Sequence, residues 1–502
     1  MNLCVLLDMA ADAFPDRVLV GGRQGGVTAK ELRRVSIAGA AQITGSGVDA
    51  VVYLGVNGPG FPAALFAAAR AGVPLVPINY RLSDEQLRPL LAKHANSLIL
   101  TDPSEINRFH GADERVCRLD TWLAEISAAH CDATEPPQVD SPAVIIYTSG
   151  TTSTPKGVVI RHANLMSYVF GSVEFGCAAE RDAALISLPP YHIAAVANAL
   201  TNVFAGRRTV VLEQFSASTW LDTVRHESIT NALIVPTMLA RIVGAEGVDL
   251  DVPSLRSLAY GGASMPAHVI TAAMEAWQHV DFVNAYGLTE TSSTIAVLGP
   301  DDHRAAFESD DPAVRARLGS AGRVLPSIEL EIRDEAGAAL PVGEVGRIWV
   351  RGDQVSGEYA GIGKAVDPEG WFDTRDRGHL DEEGFLFVGG RTDDTIIRGA
   401  ENIAPAEIED VLLAHPGIDD AVVVGVPDEE WGQHIEAAVV LHVGTSLTPA
   451  QLREYVRSHL RSSKTPDRIE VWDELPRTAT GKILRRNVLK RLVEQESARV
   501  TI

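Results

Sequence analysis

Residues 147–157 read Tyr-Thr-Ser-Gly-Thr-Thr-Ser-Thr-Pro-Lys-Gly and follow the apolar run AVII. Hydroxyls, backbone N–H groups exposed by two glycines and the mobile ammonium of Lys156 are the groups that hold anionic oxygens. The chemistry they suggest is the grip of a phosphate chain, although a Ser/Thr/Gly/Pro run also reads as a surface linker. It is not a Walker A loop, because GxxxxGK[ST] is absent. Other reactive residues stand far apart: His192 after Pro189 and Pro190, Glu290 closing NAYGLTE, Asp376 closing WFDTRD, and Lys482 in PRTATGK. Taken singly, these read as a buried turn histidine, a helix-capping glutamate, a solvated loop acid and one more exposed cation.

Their order changes that reading. YTSGTTSTPKGV resembles the signature of the adenylate-forming superfamily, which includes acyl-CoA synthetases, peptide-synthetase adenylation domains and luciferases. LPPYHIAAV (188–196) is similar to that family's aromatic–His segment beside the acyl pocket, and GGASMP (261–266) to the loop along the adenine. NAYGLTE (284–290) resembles the segment that flanks AMP and ends in the Mg2+ glutamate. WFDTRD (371–376) resembles the one whose last Asp holds the ribose hydroxyls. GRTDD (390–394) resembles the hinge, GAENI (399–403) the pantetheine tunnel, and PRTATGK (476–482) the loop of the catalytic lysine.

The resemblance implies an acid–thiol ligase. ATP and a carboxylic acid give acyl-AMP and pyrophosphate with Mg2+, and the acyl group passes to coenzyme A. Both reactants are anions, so cations and N–H donors aimed at the α-phosphate supply the catalysis. Residue by residue, the phosphates fall to Thr148, Ser149, Gly150, Thr151, Thr152 and Lys156. The nucleotide falls further to Gly261, Gly262, Ala263, Asn284, Ala285, Tyr286, Gly287, Thr289 and Arg391, with Asp376 at the ribose. Glu290 and Thr151 are implied as Mg2+ ligands, and Lys482 as the residue bridging carboxylate and α-phosphate. His192 is expected to gate and orient. Asp393 is the implied hinge, Gly399 and Ala400 line the implied tunnel, and His192, Ala195, Val235, Gly262 and Gly287 the acyl pocket.

Three positions depart from the pattern: Ser153 and Arg375 stand where the family has glycine, and Ala400 replaces the second glycine of a GGEN-like stretch. Arg375 either pairs with Asp376 or reaches a phosphate. PYHIAAV offers no acid to hold a substrate ammonium, which favours a fatty, branched or aryl acid. The sequence ends 20 residues after Lys482 and reads as a stand-alone enzyme. Two other readings stay open: an acyl-AMP ligase that loads a carrier-protein phosphopantetheine, and a half-active nucleotide-binding relative.

These residues need elements to position them. Residues 60–101 alternate helix, strand, helix and strand, with a capping box at Ser83 and Gln86. Apolar strand runs recur through DFVNAYG, so parallel sheets covered by helices are expected. Beyond about residue 320 the pattern turns to short antiparallel strands with turns at 334–337 and Gly343, then to a further α+β unit after Arg391. The expected fold is α/β: a large N-terminal domain, 1–391, of layered sheets plus a small β subdomain, and a small mobile C-terminal domain, 392–502.

A chain of 502 residues exceeds one core. The net charge of −22 argues against nucleic acid and against anionic membrane as partners. Cys4, Cys117, Cys131 and Cys177 are scattered and read as reduced thiols of a cytoplasmic protein. Two uncharged stretches, 51–69 and 183–206, carry Gly and Pro too densely for a spanning helix.

Overall fold

A computed structural model describes the chain except residues 110–114, 132–136, 138–140, 149–154, 246, 392–393, 399–400, 429–431, 479–480 and 501–502, and the side chains of 401, 402 and 496–500. The first uncharged stretch divides into the strand Ala50–Leu54 and the helix Gly60–Ala71. Small residues let that helix bury every position from Gly60 to Arg70. Gly72 ends it with a left-handed backbone, φ 76°. Arg70 is buried there and paired with Asp8 and with Ser36 Oγ at 2.9 Å. The second stretch divides into the strand Ala183–Ile186 and the helix Ile193–Ala205. No helix among the described residues is long and apolar enough to cross a membrane.

An eight-stranded sheet runs Gly363–Lys364, Glu358–Tyr359, Lys156–Arg161, Pro142–Thr148, Leu75–Pro77, Ala50–Leu54, Ser97–Thr101 and Arg115–Arg118. Its interior pairs are parallel, as the buried apolar runs require. Pro142–Thr148 and Lys156–Arg161 are instead antiparallel, with Thr148 opposite Lys156, so the Ser/Thr/Gly segment spans the end of a hairpin. A nine-stranded sheet holds Asn231–Ile234, Ser257–Gly261 and Asp281–Leu288 side by side in parallel, and Ser293–Leu298 returns antiparallel beside them, flanked by the edge strand Arg323–Val324.

The expected β subdomain is a four-stranded antiparallel sheet, Glu329–Arg333, Gly346–Arg351, Phe372–Leu380 and Leu386–Arg391. Arg333 lies between the rings of Trp349 and Trp371, at 4.9 and 4.7 Å from their centroids, and Arg351 covers Trp371 at 4.6 Å. Each contact contributes about 0.5–1 kcal/mol and holds the Trp371 end of the WFDTRD strand against its neighbour.

The C-terminal segment packs the helices Pro405–Leu413 and Pro449–His459 on one face of a mixed three-stranded sheet and the helix Arg485–Val500 on the other. Thr448 and Gln451 form the predicted capping box. Arg485 opens the last helix and is fixed by Glu409, Nη2 to Oε2 2.7 Å, which itself accepts the Val423 N–H at 2.6 Å.

Candidate active site

The segment bearing Lys482 is a closed loop. Thr478 N–H donates to the Lys482 carbonyl at 2.7 Å, and Lys482 N–H donates to Thr478 Oγ1 at 3.1 Å. Arg477 ties the same loop to Asp420 and to the Gly481 carbonyl. Gly481 has φ 80°, and a Cβ there would overlap the Thr237 hydroxyl at the start of the helix Pro236–Val243. Glycine therefore lets this loop dock on the N-terminal part of the chain without backbone strain and without moving Thr237.

Docking brings the Lys482 ammonium into a cleft where burial, then Arg391, lowers its pKa, while Asp376 and Asp394 oppose the shift. Its side chain nonetheless keeps solvent access. His192 caps the helix Ile193–Ala205 and lies against Tyr191, ring centroids 4.9 Å apart. Burial, reinforced by the Lys482 charge, lowers this imidazole to about 4, so it is neutral at pH 7.

Asp376 sits across a strand pair from Arg391. Its Oδ1 accepts from Arg391 Nε at 3.2 Å and its Oδ2 from the Tyr286 hydroxyl at 2.6 Å. Burial raises its pKa, and Arg391 and Tyr286 oppose that rise. Glu290 lies in the short turn Thr289–Thr291 just after the Tyr286 strand. Its Oε1 accepts from the Tyr359 hydroxyl at 2.9 Å, and its carbonyl accepts the N–H groups of Ser356 and Gly357 at 2.8 and 3.2 Å. Tyr359 belongs to the two-residue strand Glu358–Tyr359, which pairs with Lys156–Arg161 on one side and Gly363–Lys364 on the other. Lys156 Nζ stands 5.6 Å over the Tyr359 ring. One two-residue strand thus joins the glutamate to the end of the Ser/Thr/Gly hairpin.

A second clamp holds that hairpin's base. His94 Nε2 is 2.8 Å from the Tyr147 hydroxyl, and Lys93 Nζ donates to the Pro155 carbonyl at 3.4 Å. Burial pushes the Tyr147 hydroxyl up to about 12, so it stays protonated. Arg391 and Lys482 lie within electrostatic reach of Asp376, Arg391 also of Glu290, and Lys156 joins this group through the Tyr359 ring.

A family model described as AMP-binding enzyme matches residues 7–360, and one described as AMP-binding enzyme C-terminal domain matches residues 407–482. The chain belongs to the AMP-binding enzyme family. The fatty acid–[acyl-carrier-protein] ligase ScoC of Streptomyces coeruleorubidus is 33% identical over 497 residues, 94% of this chain and 93% of that protein. The indoleacetate–CoA ligase of Aromatoleum aromaticum is 32% identical over 503 residues, 96% and 95%. The structure of o-succinylbenzoate coenzyme A synthetase from Bacillus subtilis with ATP and magnesium ion superposes with a TM-score of 0.83 at 32% identity, covering 97% of this chain and 99% of that one. This AMP-binding enzyme is an AMP-forming acid–thiol ligase, ATP-dependent, whose first product is an acyl-adenylate.

Within the AMP-binding enzyme the remaining expected residues distribute as follows. Gly261 ends a strand so close to its neighbour that a Cβ would overlap the Ala285 carbonyl. Gly262 and Ala263 lie exposed just beyond it. Asn284 donates to the Ser320 carbonyl at 2.9 Å, while Ala285 and Gly287 pair with Val297 and Thr294. Thr289 opens the Glu290 turn. Val235 lines a cavity of about 320 Å³ together with Ser187, Thr237 and Gly481, whereas Ala195 is buried in its helix. Ser187 Oγ and the Tyr191 hydroxyl are buried without a partner. Ser149, Gly150, Thr151, Thr152, Ser153, Asp393, Gly399 and Ala400 lie outside the described residues.

Sequence reasoning missed Tyr359, Thr237, Lys93 and His94. A two-residue strand has no periodicity to detect, and Thr237 matters only because a segment some 240 residues later docks on it.

Proposed function

We propose that a carboxylate attacks the α-phosphorus of ATP in the cleft closed by Gly481 and Lys482. The observation that carries this reading is that Gly481, next to Lys482, comes so close to Thr237 that a Cβ would overlap its hydroxyl, which brings the C-terminal loop to the cavity lined by Ser187 and Val235. Lys482 bridges the incoming carboxylate and an α-phosphate oxygen, offsetting their repulsion as charge spreads over the equatorial oxygens. Asp376, held by Tyr286 and Arg391, accepts the ribose hydroxyls. Lys156 and the Thr148 end of the hairpin, with Ser149, Gly150, Thr151 and Thr152, hold the departing pyrophosphate.

Glu290 suits Mg2+: Tyr359 occupies one carboxylate oxygen, and a single carboxylate suffices where phosphates supply most ligands. Glu290, with Thr151 as a second protein ligand, would hold the ion, which would supply charge neutralisation at the phosphates. His192, uncharged, orients the acyl group and guards the approach of the thiol. Coenzyme A is the acceptor, and the unit 392–502 turns about Asp393 so that Gly399 and Ala400 replace Lys482 over the site. The acid is fatty, branched or aryl, a reading supported by the indoleacetate ligase among the relatives.

A second reading, transfer to a carrier-protein phosphopantetheine, is favoured by the 33% identity to a fatty acid–[acyl-carrier-protein] ligase. Incubation with MgATP and a carboxylate panel, with coenzyme A, holo-carrier protein or neither, tests both. Thioester with coenzyme A is expected, and thioester with carrier protein alone selects the second. Absence of pyrophosphate exchange with every acid sinks both.

A further inference from the structure

The peptide unit between Gly481 and Lys482 sets the direction in which the lysine side chain leaves its loop. Gly481 has φ 80°, and a glycine lets the peptide that follows it turn at little steric cost. A free peptide at this point would swivel and swing the Lys482 side chain with it. Both polar groups of this one are captured. The Gly481 carbonyl accepts from Arg477 Nη1, and the Lys482 N–H donates to Thr478 Oγ1 at 3.1 Å. Because the unit is planar, a hold on its oxygen and its nitrogen fixes the whole plane.

Arg477 carries this hold out of the loop. Its Nη2 is paired with Asp420 Oδ2, and Asp420 Oδ1 accepts the Ala421 N–H at 3.0 Å. Asp420 belongs to the strand Ile418–Asp428 and lies opposite Val440. Both side chains of the pair are largely shielded from solvent. The Arg477 backbone faces Ile483 across an antiparallel bridge, and the Leu484 N–H donates to the Pro476 carbonyl at 2.8 Å. Thr478 lies within the loop and moves with it, whereas Arg477 ties the same peptide to the sheet. Arg477 also lines the cavity of about 320 Å³, so direct contact with a ligand there is the competing role.

We propose that Arg477, anchored by Asp420, is a positioning residue for Lys482, fixing the Gly481–Lys482 peptide and with it the direction of the ammonium. This rests on Lys482 serving adenylation as set out above. A guanidinium suits the task because its planar fork donates to two acceptors at once in a fixed geometry.

Pyrophosphate exchange by the full-length enzyme, with MgATP and an acid that supports it, tests this in a cycle of wild type, Arg477→Gln, Lys482→Ala and the double variant. Arg477→Gln should lower kcat about ten- to hundredfold, the effect of a small misplacement, with KM for ATP and acid changed less than about twofold. Thiol capture of preformed acyl-AMP should change less than about twofold. In the Lys482→Ala background, Arg477→Gln should alter the rate less than about twofold, because no ammonium is left to position. Arg477→Lys should recover part of the loss, and Asp420→Asn should reproduce part of it. An equal loss with and without Lys482 would overturn the proposal, since it would mark a general effect on the fold. A raised KM with unchanged kcat would overturn it too, making Arg477 a ligand in the cavity. Where Arg477→Gln melts below the assay temperature, Asp420→Asn takes its place in the cycle under the same two criteria. Normal exchange by Lys482→Ala overturns the reading of the lysine instead, and is seen from that variant alone.

Discussion

The Tyr286 hydroxyl donates to Asp376 Oδ2 across 2.6 Å, joining a strand of the nine-stranded sheet to one of the four-stranded sheet. Removal of either partner strips a charge-assisted bond worth about 1.5–3 kcal/mol. Asp376→Ala should weaken AMP binding about ten- to hundredfold, since the diol loses its acceptor. Tyr286→Phe should cost only a few-fold, because Arg391 still orients the carboxylate. Titration with AMP measures both, and a Tyr286→Phe loss as large as that of Asp376→Ala would contradict the ranking.

Lys482→Ala should slow adenylation by about 100- to 1000-fold, the usual effect of removing one donor aimed at transition-state charge. Thioester formation from preformed acyl-AMP should persist. Pyrophosphate exchange and thiol capture, followed separately, distinguish the steps. A variant that adenylates normally would remove Lys482 from the chemistry.

Gly481→Ala should slow adenylation about tenfold by obstructing the dock on Thr237 and straining a φ of 80°. Thr237→Ala should restore part of the loss, because it deletes the hydroxyl that the new methyl meets. Rates for the four proteins of the cycle give the coupling, expected at about 0.5–3 kcal/mol for residues in contact. Zero coupling would show that the overlap does not set the rate.

Acid should destabilise the fold. His162, His192 and His303 are each lowered to about 4, with burial the leading cause. Between pH 6.5 and 4 the unfolded chain binds more protons at these positions, so stability falls as pH falls through that window. Each contributes a loss on the order of 3 kcal/mol across it. Asp410, raised to about 6 by burial, acts in the opposite direction. Urea midpoints from pH 7.5 to 4.5 should decline for the wild type and decline less for His303→Gln. Parallel slopes would show that His303 does not titrate as stated. His303 is the informative choice because it lies outside the cleft, bonded to Tyr260 and the Gly299 carbonyl, each at 2.8 Å.

Local signals reached far in this chain. The Ser83–Gln86 and Thr448–Gln451 capping boxes, the Gly72 helix stop and the Asp334 turn are all formed, because each depends on neighbours within four residues. Asp376 and Lys482 were singled out only through motif order, since nothing near either residue assigns it the nucleotide role proposed above. What could not be read is what distant chain supplies. Tyr359 reaches Glu290 through a strand 69 residues further on, and Lys93 reaches Pro155 from 62 residues back. The left-handed backbone of Arg375 was hidden for a different reason: arginine gives no local hint of it, and a bulge against Ile348 creates it.

The seat of Lys482 is secured on the N-terminal side by a residue with no side chain. Gly481 meets Thr237 through backbone alone, so parting them re-exposes no hydrocarbon from the glycine and forfeits none of the roughly 25 cal/mol per Å² that an apolar anchor would hold. The lysine is placed accurately but not gripped firmly. If Lys482 serves adenylation as proposed, its group would rest on a contact whose parting exposes no side chain of Gly481.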